Sequence, residues 1–457
     1  MTKTIKTSAL IIGGGGAGLS AALNLNSEDI VLIERGGSNS VFSPWNMMIR
    51  PKEELREKIL QMGGNINDSA LVDAFLWDYD KAIEDLQKAG IKLRESNIGL
   101  IPDYSLPGTE TKKILRNKLK EKKGVRSIKG SVENFLTDKK DEVVGVVVRL
   151  FDSGQAVNVF FRYAILASGG LGGLFKFTTG SRDSDGSVLA LCREIGLKTR
   201  DLEFFMFHPF LVVDKRFPRL LISGDILTAM EYEDESGEQF LSAEVADALR
   251  NNKHHHIFPQ MTEEFYLQSL KGKVYGRMVC SDDWFERFKK ENEFGSIFQK
   301  FKKEEVEKIE LHPAFHFSIG GITINENGQT SRSNLYAAGE VTGGLHGSNR
   351  IGGLAILEAL IFGRRAALDI NEKLKTTNRD IKTPVNMKKV GRLGLSREVK
   401  AMAWEALGPL KTDKKLQELK EFLQSKKSLT SQEKLLKEIA ELCLARKESI
   451  GAFRKSK

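Results

Sequence analysis

Residues 8 to 35 read SALIIGGGGAGLSAALNLNSEDIVLIER, and the fold turns on this stretch. Ala9 to Ile12 and Ile30 to Ile33 are apolar runs of strand length. A glycine turn and a short helical stretch separate them, and the second run ends in Glu34. The turn fits G-x-G-x-x-G with Gly13, Gly15 and Gly18. In that pattern the first glycine turns the chain sharply out of the strand. The second lets backbone N–H groups approach a pyrophosphate, and the third lets the helix pack closely on the sheet. Gly16 and Ala17 lie within the same pattern, and the N-terminus of the helix that follows offers unpaired N–H donors and partial positive charge to phosphates. Glu34 stands where a carboxylate accepts from both ribose hydroxyls. Four glycines alone would also fit a flexible loop. The flanking strands and the acid point instead to a dinucleotide, with FAD and NAD both open.

The chain has 457 residues, 40% of them apolar, enough for two or three domains with real cores. Its formal net charge is +9, but the lysines are interspersed with Asp and Glu. That pattern reads as a solvated surface, and no nucleic-acid partner is expected. Cys192, Cys280 and Cys443 lie far apart with no C-x-x-C, which argues against a cysteine-ligated iron–sulfur cluster. A reduced, cytoplasmic chain is the expectation. The first residues run into a strand without a signal-peptide pattern, and no apolar run reaches the length of a membrane span. His254-His255-His256 has no acids at ligand spacing, so it reads as an exposed loop and no metal site is expected.

Beyond Glu34, a loop through Arg35 and Ser38 runs toward the ring end of the nucleotide and brings Pro44, Trp45 and Asn46 near it. An ordinary surface loop around a buried Trp is the other reading. Residues 52 to 91 carry helical periodicity, and a basic helix spans Thr109 to Lys123. Short strands follow from Arg126, and an apolar strand ending in Ala167-Ser168-Gly169-Gly170 returns the chain to the nucleotide sheet at a second glycine turn. Asp185 and Gly186 precede a helix from about Ser187. In FMFHPF, Phe205 to Phe210, His208 is held in an extended or turn conformation by Pro209. Among so many aromatics it is either a packed core residue or a ligand contact. His316 in HPAFHFSIGG comes next, followed by NLYAAGEVTGGLHGSNRIGG from Asn334. That block is a strand, a glycine turn with Gly339 and Glu340, a loop with Asn349 and Arg350, and a helix from about Leu354. An Arg between glycines is well placed for bidentate carboxylate binding. From about Asn371 the chain reads as linker, and the rest is amphipathic and helical.

Together these motifs resemble the flavoprotein family of succinate dehydrogenase, fumarate reductase and L-aspartate oxidase. A-S-G-G at 167 to 170 looks like the family's A-T-G-G, and Glu203 to Pro209 is similar to its E-F-x-Q-F-H-P. LYAAGEVTGGLHGSNRIGG and the closing CLARKESIGAF from Cys443 are the most specific matches. The resemblance implies an α/β fold: a Rossmann-like FAD-binding domain over 1–205 and 321–380, an inserted α+β capping domain over 206–320, and a C-terminal helical domain over 381–457. It implies FAD, bound non-covalently because no histidine falls between Asn39 and Asn46. The turn residues Gly13, Gly15, Gly16, Ala17 and Gly18 would hold it, with Glu34, Arg35, Ser38, Trp45 and Asn46. So would Ala167, Gly169 and Asp185, and then Gly339, Glu340, Asn349, Ala355 and Ile356.

The substrate implied is a small dicarboxylate, held by His208, Ser223, His316 and Arg350 so that hydride passes between its carbon and flavin N5. The family's proton donor is a capping-domain arginine, and Arg277 is the candidate by order along the chain. The catalytic set is therefore Arg277, His208, His316 and Arg350. An electron-transfer subunit, oxygen or a quinone would serve as redox partner. Two departures stand out: Ser223-Gly224 replaces the family's Thr-Glu, and no Arg-Gly-Glu-Gly follows. The leading expectation is a fumarate reductase or succinate dehydrogenase type of reaction. L-aspartate oxidase is one alternative, and a non-catalytic FAD-binding subunit is the other.

Overall fold

The structure is a computed structural model. It describes residues 3–96, 99–104, 106–217, 221–222, 224–251, 258–291, 298–377, 379–384 and 387–456. Ser223 and the His254-His255-His256 run lie outside the described residues.

The opening stretch folds as strand β1 (Lys3–Ile12), helix α1 (Gly16–Asn24) and strand β2 (Ile30–Glu34). β1 pairs in parallel with β2, Ala9 opposite Ile30, and on its other side with the strand Ala156–Leu166, Ile12 opposite Leu166. The strand Leu335–Ala337 extends this sheet beyond Leu166, and Val125–Thr137 extends it beyond β2. The centre of the sheet is buried on both faces, which is why Ala9 to Ile12 and Ile30 to Ile33 are unbroken apolar runs rather than alternating ones. Val125–Thr137, Val143–Leu150 and Ala156–Leu166 continue as an antiparallel meander. All the parallel strands run the same way, so the glycine turns after Ile12 and Leu166 and the one at Gly339 gather at one end of the sheet, where α/β proteins bind ligands.

A second, antiparallel sheet has the order Phe205–Val212, Lys308–Ser318, Val274–Met278, Met230–Glu233. It has its own apolar core, in which Phe210 stacks on Tyr232 and meets Phe265 edge-on, both at 5.2 Å. Phe205–Val212 and Lys308–Ser318 reach from this sheet back to the nucleotide turns.

The helix after the Arg350 loop spans Ala355–Thr376, longer than the sequence suggests. The linker does not begin at Asn371, because Asn371 is buried and tied to the end of α1. Its Oδ1 accepts from Asn26 N–H at 2.7 Å and its Nδ2 donates to the Asn24 carbonyl at 2.9 Å.

The last three helices, Arg397–Leu407, Asp413–Ser425 and Ser431–Ala445, each start on a hydroxyl that accepts a first-turn N–H: Ser396, Thr412 and Thr430. Thr430 and Glu433 complete a capping box. Their apolar faces join the core that holds the nucleotide sheet, and Arg193 makes two bonds to Glu438, at 3.0 and 2.7 Å. No helix among the described residues is long and apolar enough to cross a membrane.

This packing leaves one ammonium in an apolar place. Lys411 is fully buried against the rings of Phe205, Phe207 and Phe453, and its Nζ donates to the Gly408 carbonyl. Burial pulls its pKa down from 10.5 to about 8. The unfolded chain therefore holds this proton to higher pH than the native one. The penalty to folding is complete below about pH 8 and fades as the pH rises toward 10.5. Lys411→Met should raise stability at pH 7 by about 2 kcal/mol, the ring contacts offsetting part of the charge-burial cost. The gain should shrink toward pH 10. Urea denaturation at the two pH values reads this, and a variant less stable than wild type at pH 7 would show that the ring contacts outweigh the burial.

Candidate active site

A cavity of about 1750 Å³ runs from the glycine turns to the second sheet. At its nucleotide end, Gly13 has φ +119°, and a Cβ there would lie 2.1 Å from the Ala167 carbonyl oxygen. The two glycine turns thus touch through their backbones. Gly18 packs on the same spot, its missing Cβ 1.8 Å from the Gly13 carbonyl oxygen. Gly15, by contrast, is open to the cavity, and the helix it precedes has no side-chain cap. The Glu34 carboxylate lies over Gly14 and pairs with Arg116, while Lys112 Nζ donates to Ser38 Oγ at 2.8 Å. Arg35 pairs with Asp185 at 2.7 Å. Half-buried Glu340 ties the turns to the second sheet: it accepts from Asn39 Nδ2 at 2.6 Å and from Ser318 N–H at 3.0 Å. Burial pushes the Glu340 carboxyl up to about 7.

Of the residues expected to hold the cofactor, all line this cavity except Gly18 and Trp45. Gly18 acts through packing. Trp45 is wholly buried behind the wall with φ +58°, and its indole N–H donates to the Ser40 carbonyl at 2.7 Å, so the buried-Trp reading describes it. Its neighbour Asn46 does reach the wall, and Asn46 Oδ1 is buried there without a protein donor. An orphan acceptor beside a cradle that Cβ atoms would fill suits a dinucleotide with a polar ring edge, and FAD fits these residues. Arg116 and Lys112, which back Glu34 and Ser38, are missed by sequence reading. The basic helix is visible there, but not the face it turns to the nucleotide.

At the other end, His208 and His316 sit on paired antiparallel strands with ring centroids 5.5 Å apart. His208 Nδ1 accepts from Phe210 N–H at 3.3 Å, and Thr179 Oγ1 lies 2.8 Å from His316 Nδ1. With Nδ1 engaged as acceptor, the His208 ring carries its proton on Nε2 in the neutral state. Burial, with the Arg350 charge adding to it, pushes the His316 pKa down to about 3, so this ring is neutral at physiological pH.

Arg350 is also buried, its guanidinium over the Phe317 ring at 4.5 Å. Its contacts are weak: Nη1 to the Ile351 carbonyl at 3.3 Å and Nη2 to Met206 Sδ at 3.5 Å. Arg350 Nε has no partner, and no carboxylate among the described residues pairs with Arg350. Burial draws its pKa down to about 10, while Glu358 and Glu340 hold it up from a distance, so it stays charged at neutral pH. Glu358 is occupied with His346 Nε2 at 3.0 Å, both buried, which anchors the loop carrying Arg350.

Arg277 is not part of this site. It lies on Val274–Met278 opposite Glu231 and pairs with Glu231 and Glu233, away from the cavity. The sequence does not reveal these cross-strand acids. The arginine of the second-sheet unit that lines the cavity is Arg287, on the helix Asp282–Glu291 between Trp284 and Phe288.

Residues 8–356 match the family described as FAD binding domain. The chain is 27% identical over 398 residues to the L-aspartate oxidase of Clostridium perfringens, covering 79% of this chain and 86% of that one. It is 26% identical over 405 residues to a subunit of the fumarate reductase (CoM/CoB) of Methanothermobacter marburgensis, covering 81% and 73%. Among solved structures, it superposes on FrdA of E. coli quinol fumarate reductase with TM-score 0.79 at 18% identity, over 100% of this chain and 92% of that one. On Mycobacterium smegmatis Sdh1 the TM-score is 0.82 at 17% identity, over 99% and 89%. At such identities the structural likeness speaks for the fold, a mixed α/β FAD-binding fold of the fumarate reductase and succinate dehydrogenase flavoprotein type. Taken with the glycine cradle and the orphan acceptor beside it, the match over residues 8–356 and the relatives above establish that this chain belongs to the FAD binding domain family and is an FAD-dependent oxidoreductase.

Proposed function

We propose that the chain reduces or oxidises a small dicarboxylate of the fumarate and succinate class. The observation that carries this reading is Arg350, a buried cation at the cavity wall without a carboxylate partner among the described residues. A substrate carboxylate would take the fork of Arg350, with the His208 and His316 rings beside it at the cavity wall, which fixes the carbon skeleton. Bound FAD would supply the two-electron chemistry. The second-sheet unit would act as a cap that excludes water, and Arg287, not Arg277, is its candidate for the proton.

L-aspartate is the second reading, favoured by the relatives named L-aspartate oxidase. Against it, an α-ammonium needs a carboxylate. The described carboxylates at the wall are Glu34, Asp183 and Asp185 at the nucleotide end, and Glu340, which two donors already occupy.

Fumarate should reoxidise a reduced viologen in the presence of the FAD-loaded protein, and L-aspartate with oxygen should yield no peroxide. Peroxide formation without fumarate-dependent reoxidation would move the assignment to L-aspartate. Arg287→Gln should lower kcat by about a hundredfold or more with little change in KM, whereas Arg277→Gln should leave both near wild type.

A further inference from the structure

Arg454 follows directly on the CLARKESIGAF block and lines the cavity. The segment around it is built into the wall. Ala452 N–H donates to the Ser348 carbonyl and Lys411 N–H to the Arg454 carbonyl, both at 3.0 Å, and Phe453 is fully buried. These bonds fix Arg454 to the loop that carries Arg350, because Ser348 stands two residues before it.

The side chain is oriented from one edge. Arg454 Nε donates to Glu263 Oε2 at 2.7 Å, and Glu263 stands on the helix Phe258–Ser269, whose first turn also lines the cavity. No hydrogen bond to a described residue engages Nη1 or Nη2. A guanidinium has five N–H donors in a rigid fork, so the outer edge remains for a planar anion. Arg454 is also near the first carboxylate anchor: it lines a small hollow with Met206 and Asn349, and Met206 Sδ is 3.5 Å from Arg350 Nη2.

We propose that Arg454 binds the second carboxylate of the substrate and so sets the preference for dicarboxylates over monocarboxylates. The inference rests on the dicarboxylate reading above. Arg350, buried, supplies most of the affinity for any carboxylate. Arg454 is partly exposed and shares its charge with Glu263, so its contribution is to discrimination. The Arg454–Glu263 pair also links the second-sheet unit to the wall.

The experiment titrates the FAD-loaded full chain with succinate and with butyrate, which has the same chain length and one carboxylate, by flavin absorbance and by calorimetry. Wild type should bind succinate more tightly. Arg454→Gln should weaken succinate by about tenfold to a hundredfold and leave butyrate unchanged. Glu263→Gln and Arg454→Lys, which keep the cation but lose its orientation or its fork, should show a smaller loss of the same kind. Either of these decides the matter if Arg454→Gln fails to fold. Unchanged succinate affinity in Arg454→Gln, or equal losses for succinate and butyrate, overturns the proposal. If Arg350→Gln loses succinate while Arg454→Gln keeps it, only this proposal fails. If wild type binds neither acid, or prefers butyrate, the dicarboxylate reading fails with it.

Discussion

Arg350→Gln should lose carboxylate binding and gain stability at once. The loss follows from the site. Two charge-assisted bonds at about 2 kcal/mol each amount to about a thousandfold in affinity, and glutamine restores neither the charge nor the fork. The gain follows from burial. A guanidinium whose pKa falls from 12.5 to about 10 is more costly to hold in the folded chain than in the unfolded one. Below about pH 10 that cost is present in full, so its removal should add about 1 to 3 kcal/mol, reduced by whatever the Phe317 ring contributes. Melting of the FAD-loaded, substrate-free protein at pH 7 reads the second effect, and succinate titration reads the first. A variant that binds succinate like wild type removes Arg350 from the site. One that is less stable means the ring contact outweighs the cost of burying the charge. Such opposed changes mark a residue kept for function at the expense of the fold.

Gly18→Ala and Gly15→Ala should fail in different ways. An added methyl at Gly18 meets the Gly13 carbonyl at 1.8 Å, backbone against backbone inside one tight turn, so α1 must part from β1. The cost is about 3 kcal/mol or more, and the cradle is lost with it. At Gly15 the nearest atoms are Ser40 Oγ at 3.4 Å and Ser38 Cβ at 3.6 Å, both ordinary contacts, and φ is −81°. Alanine fits the protein there and intrudes only on the dinucleotide. Gly15→Ala should therefore show wild-type circular dichroism with flavin content down by about tenfold or more, whereas Gly18→Ala should be recovered unfolded or insoluble. Full flavin content in Gly18→Ala would contradict the packing account.

The glycine turns and the Arg350 loop are legible in the sequence because each needs a residue type that almost nothing else explains: positive φ, backbone contact, or a lone cation among glycines. Trp45 and Arg277 show the limit. Whether an indole faces the ring or the core depends on its backbone, and Trp45 has φ +58°. Whether an arginine is free depends on which acids stand across the sheet, and Glu231 and Glu233 reach Arg277 only through strand pairing. Arg287 lies between Trp284 and Phe288, and helical spacing alone does not say which side of that face is solvent. Arg454 is far in sequence from the Arg350 loop that its segment is bonded to, beyond the reach of any local pattern.

The shared core has a consequence for biosynthesis. β1 pairs with Ala156–Leu166, α1 packs against Ala355–Thr376, and the last helices complete the same apolar cluster. β1 and α1 therefore wait for partners made much later. A ribosome releases the N-terminal strands long before their partners exist, and contacts so distant in sequence form slowly. The second-sheet unit, with a core of its own, can assemble first, so the nascent chain would carry a folded unit between two segments of an unfinished sheet.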